Sequence, residues 1–335
     1  MSPAVEVILC TYNGSAYIAE QIRSILGQTR PVDKISIHDD RSSDDTLSAI
    51  DALLEELPIR ERSLFSVSVN ESNLGYAGNF SNAISMATGD ILFLCDQDDI
   101  WEPGKVEEML SFFGQDGPDM VFSDGLPVDS SGRPIGKTTV LGTYGLSRSE
   151  ISLFGRNAFR HLLKRNYING AAAAIRRESA QAALPLPCNM PHDYWLAIWC
   201  ALHSGIRATP NALYRYRQHG RNVIGIGGGK LIHELLGVWR HPDSPRERDL
   251  RIWKAVTARI ESLSNAREIY SARAKLEWLK AVVPEKKRSL SRAAKIFGSA
   301  IGGDYGKFSG DFAFFRDIIS MLKESTDSAN IAQKG

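Results

Sequence analysis

Ile91-Leu-Phe-Leu-Cys-Asp96-Gln-Asp98-Asp99 decides how the rest of the chain is read. Four apolar residues and a cysteine run straight into three carboxylates. A short apolar run bounded by polar residues reads as a buried strand. The carboxylates then sit where the strand leaves the sheet, the rim at which open α/β sheets bind ligands. Like charges this close repel unless a cation neutralises them. Oxygen donors suit a hard divalent ion such as Mg²⁺ or Mn²⁺. A polar turn that caps a following helix would use the same residue type, and the segment alone leaves both readings open.

Working outward, strand and helix patterns alternate. Val5–Cys10, Lys34–His38 and Leu64–Val69 read as strands. Ala16–Leu26, Thr46–Leu57 and Asn79–Ala87 carry apolar residues at helical spacing. This βαβ alternation predicts a mostly parallel sheet covered by helices, with strand C-termini along one edge. Thr11-Tyr12-Asn13, Asp39-Asp40 and Asp96 to Asp99 should therefore converge on one crevice. Residues 114–144 read as loops with short strands such as Met120–Ser123. Asn166–Ile175 reads as a buried strand, His192–His203 as a helix and Ala212–Arg217 as an alternating strand. Four glycines within Gly225–Gly229 mark a boundary, giving domains 1–228 and 229–335. From Leu231 onward the pattern is helical, including Arg248 to Val283.

The chain has 335 residues, 43% hydrophobic and 24% charged, an ordinary globular composition. Its formal net charge of +1 gives no general pull toward nucleic acid. Cys10, Cys95, Cys188 and Cys200 show no CxxC spacing, so buried free thiols in a reducing cytosol are expected. No signal peptide is read at the start, and no apolar run approaches the roughly 18 residues needed to span a bilayer. A cytoplasmic protein is the expectation.

Each polar cluster has its own chemistry. Thr11-Tyr12-Asn13-Gly14 offers a hydroxyl, a ring and backbone N–H groups beside a helix start, suited to a base or an anion, or simply to capping. In His38-Asp39-Asp40-Arg41-Ser42-Ser43-Asp44-Asp45-Thr46, a carboxylate can accept from a pyrimidine N–H or a ribose hydroxyl. Asn73-Leu-Gly75-Tyr-Ala-Gly78-Asn79 supplies glycines and amides that allow a ligand close to the backbone, as ordinary turns also do.

The order of these clusters is more specific than any one of them. Over about the first 110 residues, Thr11 to Gly14, Asp39-Asp40-x-Ser-x-Asp-x-Thr46, Asn73-x-Gly75-x-x-x-Asn79 and Asp96-Gln-Asp98-Asp99-x-Trp101 closely resemble the inverting family 2 glycosyltransferases. Pro191-His192-Asp193-Tyr194-Trp195 and the Arg217-x-His219-x-x-Asn222 ending look most like bacterial rhamnosyltransferase-type members. The resemblance implies a GT-A fold with a C-terminal helical extension. It also implies inverting transfer of a sugar from a nucleotide-sugar donor, dTDP-rhamnose or a UDP-sugar, to a glycan or lipid-linked glycan acceptor of a surface polysaccharide. By position it assigns Thr11, Tyr12, Asn13, Asp40, Asn73, Gly75, Asn79, Asp96 and Asp98 to the nucleotide-sugar. It assigns Asp98, Asp99 and His219 to Mg²⁺ or Mn²⁺, and Asp193 to the general base. A UDP-hexose or UDP-N-acetylhexosamine transferase and a non-catalytic nucleotide-sugar-binding protein are the rival readings. The four carboxylates Asp40, Asp98, Asp99 and Asp193 argue against the last.

The resemblance fades after about Gly229. Lys286-Lys287-Arg288, Arg292 and Lys295 precede Phe308, Phe312, Phe314 and Phe315. A basic helix with aromatic neighbours suits an anionic membrane surface at the inner face of the plasma membrane, a solvated helix face, or a homodimer contact.

Overall fold

A computed structural model describes residues 2–187, 190–219, 245–263, 265–283, 290–309 and 317. The expected features at Cys188, Asn222, Gly225–Gly229, Lys286–Arg288 and Phe312–Phe315 lie outside the described residues. The chain divides into two compact units. The first comprises Met1–Ala158, Asn166–Leu186 and Met190–Ile226; the second comprises Phe159–Arg165, Pro187–Asn189 and Gly227–Gly335. Two short segments upstream of the expected boundary thus group with the C-terminal part.

The first unit is built on one eight-stranded sheet in the order β3-β2-β1-β4-β7-β6-β8-β5. Its strands are β1 (Val5–Thr11), β2 (Lys34–Asp39), β3 (Phe65–Val69), β4 (Ile91–Asp96), β5 (Ile100–Trp101), β6 (Met120–Val128), β7 (Ala173–Arg176) and β8 (Ile206–Arg217). β1 pairs in parallel with both β2 and β4, and all seven of its residues are buried. That is why it reads as a continuous apolar run rather than an alternating one. Helices α1 (Ile18–Leu26) and α2 (Thr46–Glu56) seat Ile18, Ile22, Ile25, Ile50 and Leu53 in the core with the inward residues of β1 and β2.

The sheet is mixed rather than mostly parallel. β7 runs antiparallel to β4 and β6, while β6 and β8 pair in parallel. The strand expected over Asn166–Ile175 is confined to Ala173–Arg176. The Asn169 side chain accepts from the Ala171 N–H, and the Gly170 N–H goes to Asp193, which bends 170–172 into a 3₁₀ turn. The short strand expected at Met120–Ser123 runs on to Val128 as the nine-residue β6. This strand carries register shifts at Asp124, and a Cβ on Gly125 would lie 2.5 Å from the Tyr214 ring. Helix α3 (Gly75–Met86) begins four residues before the expected start, because the Asn73 side chain accepts from the Gly75 N–H and the Leu74 N–H is anchored on Asp40. α2 stops before Leu57-Pro58, as a proline requires of the residue ahead of it. Helix α4 (His192–Leu202) begins just after Pro191, as read from the sequence.

In the second unit the expected run from Arg248 to Val283 is two helices, Pro245–Ile260 and Ala266–Val282, parted by a polar turn. Arg246 is buried, pairs with both oxygens of Asp317 at 3.0 Å and lies over the Trp278 ring at 4.5 Å. No helix among the described residues is long and apolar enough to cross a membrane.

The first strand also buries a charge. Glu6, on β1, is 1% exposed. It accepts from Ser36 Oγ (2.6 Å), the Thr88 and Gly89 N–H groups (2.7 and 2.6 Å) and Lys34 Nζ (2.9 Å). Burial alone would raise its carboxyl, but these donors hold it down at about 2. A carboxyl depressed in the fold stabilises above its unfolded value and loses that contribution as pH falls through the folded one. Glu6→Gln is therefore expected to cost about 3 kcal/mol at neutral pH in urea unfolding. The difference from the parent protein should shrink as pH is lowered from about 4.5 toward about 2.

Candidate active site

The crevice lies along the C-terminal ends of β1, β2 and β4, where the three polar clusters meet. The Asp40 N–H donates to the Thr11 carbonyl at 2.8 Å, and Thr11 Oγ1 donates to Asp39 Oδ2 at 2.7 Å. Asn13 takes a positive φ of 51°, and its side-chain oxygen accepts from the Ser43 N–H at 2.8 Å. Gln97 completes the join. Its amide donates to the Tyr12 carbonyl (2.9 Å) and accepts from the Tyr12 N–H (2.8 Å), an antiparallel-like pair between two strand ends. Tyr12 is left 48% exposed beside it.

Asp40 is buried and organises the third cluster. Its Oδ1 accepts from the Leu74 N–H (2.8 Å) and from Asn70 (2.9 Å), and its carbonyl accepts from Asn73 (3.2 Å). Asn79 is 2% exposed, and its amide is engaged by the His38 carbonyl and by Asn70. Gly75 opens α3 beside this cluster. Asn73 and Asn79 therefore hold the walls around Asp40.

At the end of β4 the acids have distinct partners. Asp98 Oδ2 meets His219 Nε2 at 2.8 Å, and His219 stacks on the Tyr17 ring at 4.9 Å. Asp99 is 1% exposed; its Oδ1 accepts from the Arg217 N–H at 3.0 Å, while its Oδ2 is buried without a hydrogen-bond partner. Burial first, then Asp98 and Asp96, push the Asp99 carboxyl well above the ordinary range. Burial, followed by Asp98 and Asp193, raises Asp96 to about 7.

Two cations stand behind these acids: Arg217, which the sequence reading named as the start of its Arg-x-His-x-x-Asn ending, and Lys105, which it did not single out. Arg217, 1% exposed, donates from Nε to the Asp98 carbonyl (2.8 Å), from Nη1 to the Ser130 carbonyl (2.9 Å) and from Nη2 to Glu20 (2.6 Å). Lys105 is fully buried, donates to the Ala171 carbonyl and lies over the Trp101 ring at 4.2 Å. Burial lowers its ammonium to about 8, against the opposing pull of Cys95, Asp99 and Asp96. Strand alternation would have placed Arg217 on the same outward face as Arg215, so no pattern signalled its burial. Gln97 was hidden among the acids on either side of it.

Asp193 comes to the crevice from a different element, the first turn of α4. Its Oδ1 accepts from Asn166 (3.0 Å) and the Tyr194 N–H (2.6 Å), and its Oδ2 from the Gly170 N–H (3.2 Å). Burial raises its carboxyl to about 6, although these hydrogen bonds lower it. His192 beside it is buried, stacks on Phe80 at 3.8 Å and is held neutral, its pKa lowered by burial to about 3. A Cβ on Gly170 would lie 2.6 Å from His192 Nε2, so glycine is required where the helix start meets the 3₁₀ turn.

The donor chemistry fits a hard divalent cation, with Asp99 Oδ2 unpartnered and Asp98 beside it. Among the described residues, however, no three His, Cys, Asp or Glu side chains gather closely enough to hold an ion by themselves. Mg²⁺-type ions are commonly held by one or two carboxylates with substrate phosphates completing the shell, and the arrangement suits that mode.

The model for glycosyl transferase family 2 matches residues 6–183. The chain is 30% identical over 245 residues to the dTDP-rhamnosyl transferase RfbG of Shigella flexneri, covering 70% of this chain and 79% of that one. The first curated relatives align over less of themselves: the chain spans 32% and 60% of their lengths. Among solved structures, S. aureus TarS 1–349 in complex with UDP-GlcNAc superimposes with a TM-score of 0.52 at 15% identity, over 96% of this chain and 92% of that one. The mannosyltransferase PcManGT from Pyrobaculum calidifontis, in complex with GDP-Man and Mn²⁺, does so with a TM-score of 0.52 at 19% identity, over 98% and 88%. The expected GT-A architecture is the one observed.

Arg217→Met is expected to destabilise the fold by about 3 kcal/mol in chemical denaturation, because it strips donors from Glu20 and from the carbonyls of Asp98 and Ser130. A loss below about 1 kcal/mol would show that the guanidinium does not hold the strand ends together.

Proposed function

We propose, on the premise that the chain belongs to glycosyl transferase family 2, that it moves a sugar from a nucleoside diphosphate to an acceptor hydroxyl with inversion at the anomeric carbon. The observation that carries this reading is the position of Asp193. It arrives on α4, apart from the β4 acids, yet its charge is felt at Asp96. One carboxylate on the acceptor side and a separate acidic cluster on the diphosphate side are what a single in-line displacement needs.

In this reading Asp40, with Thr11, Tyr12 and Asn13 around it, receives the nucleoside. Asn73, Gly75 and Asn79 shape the wall at Asp40, and Asp96 and Asp98 face the ribose and the sugar. Asp98, Asp99 and His219 would hold Mg²⁺ or Mn²⁺, which when bound supplies charge stabilisation for the departing diphosphate. Asp193 accepts the proton of the acceptor hydroxyl as its oxygen attacks. The Asn166, Tyr194 and Gly170 donors fix the direction of that carboxylate, and burial sets its basicity near neutral pH, where a general base works best.

dTDP-rhamnose is the proposed donor, in keeping with the name of the Shigella relative; a glycan or lipid-linked glycan of a surface polysaccharide is the proposed acceptor. A UDP-sugar is the second reading, favoured by the UDP-GlcNAc held in the TarS fold. Release of nucleoside diphosphate from a panel of dTDP- and UDP-sugars with Mn²⁺ separates them. Turnover of dTDP-rhamnose above the others is expected, and chelation by EDTA should abolish it.

Asp193→Asn is expected to lower kcat by at least about a hundredfold while donor KM stays within about threefold. Turnover within threefold of the parent would remove Asp193 from the role. In the parent enzyme kcat should climb as pH rises through about 6 and level off above it, since a protonated carboxyl accepts no proton. A profile flat from pH 5 to pH 8 would contradict the assignment.

A further inference from the structure

Arg41 stands in the left-handed region of backbone space, with φ 64°, and its side chain is exposed. Glycine would hold this conformation without the Cβ contact that disfavours other residues there. Asn13, at φ 51°, belongs to a residue type that tolerates the region and uses its side chain locally on Ser43. Arg41 has no local use of that kind. Its guanidinium instead crosses to the carbonyl of Glu71, with Nη1 at 2.6 Å.

Glu71 opens a run, residues 71–76, in which every residue is exposed. The inner part of this run is anchored on Asp40 through the Leu74 N–H and the Asn73 amide. Arg41 ties down its outer end. The run displays Leu74 and Tyr76, 47% and 42% exposed, beside the carboxylate that the proposed function gives to the nucleoside.

We infer that Arg41 is a positioning residue for the donor nucleotide: its guanidinium latches residues 71–76 against Asp40, and the strained backbone is retained to place that latch. This rests on the reading of the crevice as a nucleotide site. Residues 71–76 supply the wall, and Arg41 removes part of the ordering cost that the nucleotide would otherwise bear.

The test uses the full chain and the variants Arg41→Gly, Arg41→Ala and Arg41→Lys. UDP and dTDP are titrated calorimetrically with Mg²⁺, and amide hydrogen exchange is followed at 71–76 without ligand. Both Gly and Ala are expected to weaken nucleoside diphosphate binding about five- to tenfold and to speed exchange at 71–76. kcat for the donor that turns over should stay within about twofold, so that the effect falls on KM. Lys should recover much of the affinity by restoring one donor to Glu71, and Gly should melt no lower than the parent because the strain is relieved. Binding by the parent with Kd values for Gly and Ala within about twofold of it would overturn the inference. If the parent binds neither nucleotide, the glycosyl-transfer reading falls and takes this inference with it.

Discussion

The buried guanidinium of Arg217 is the constraint on which the site depends. At the end of β8, beside the acids of β4, Arg217 satisfies the carbonyls of Asp98 and Ser130 and the Glu20 carboxylate, while its own N–H goes to Asp99. A buried arginine that lost these partners would be strongly unfavourable, so the strand end, helix α1 and the acidic turn are held to one geometry. His219, two residues on, is then carried to Asp98, and Tyr17 fills the space between them by stacking on His219 and lying under Arg217.

Charge balance follows from the same arrangement. Asp96, Asp98 and Asp99 crowd one strand end, and Lys105 and Arg217 offset part of that charge from the protein side. Lys105 keeps its ammonium between the Trp101 and Tyr214 rings and the Ala171 carbonyl. The remaining negative charge faces the crevice, with Asp99 Oδ2 lacking a donor. In the proposed function such a site would hold a divalent ion weakly alone and better when a diphosphate completes the shell. Asp193 has its own donors, and the neutral His192 beside it stacks on Phe80; together they fix the start of α4.

Much of this was legible in the residues. The unbroken apolar runs of β1 and β4, and the polar clusters that follow them, place the crevice directly, because a strand buried on both faces has no other composition available. Asp193 at the head of α4 was equally plain. What escaped was non-local. Period-two alternation assigns Arg217 to the outward face with Arg215, and only the long-range partners at Glu20, Asp98 and Ser130 bury it. Lys105, which the sequence reading passed over, stands in the first turn of the helix Lys105–Leu110, yet it is fully buried. The strand expected across Asn166–Ile175 was shortened by side-chain caps from Asn169 and Asp193, and Gly75 and Gly78 entered a helix because Asp40 and Asn73 anchor its first turn. In each case a tertiary hydrogen bond overrode a local preference.

In the proposed function the acidic turn, partly offset by Lys105, takes a diphosphate to complete its ion site. Titration of Mn²⁺ into the protein, followed by the electron paramagnetic resonance of the free ion, with and without a nucleoside diphosphate, tests it most directly. One site that tightens at least about tenfold when the nucleotide is present is predicted. Equal Mn²⁺ binding with and without nucleotide, or none in either case, would contradict it.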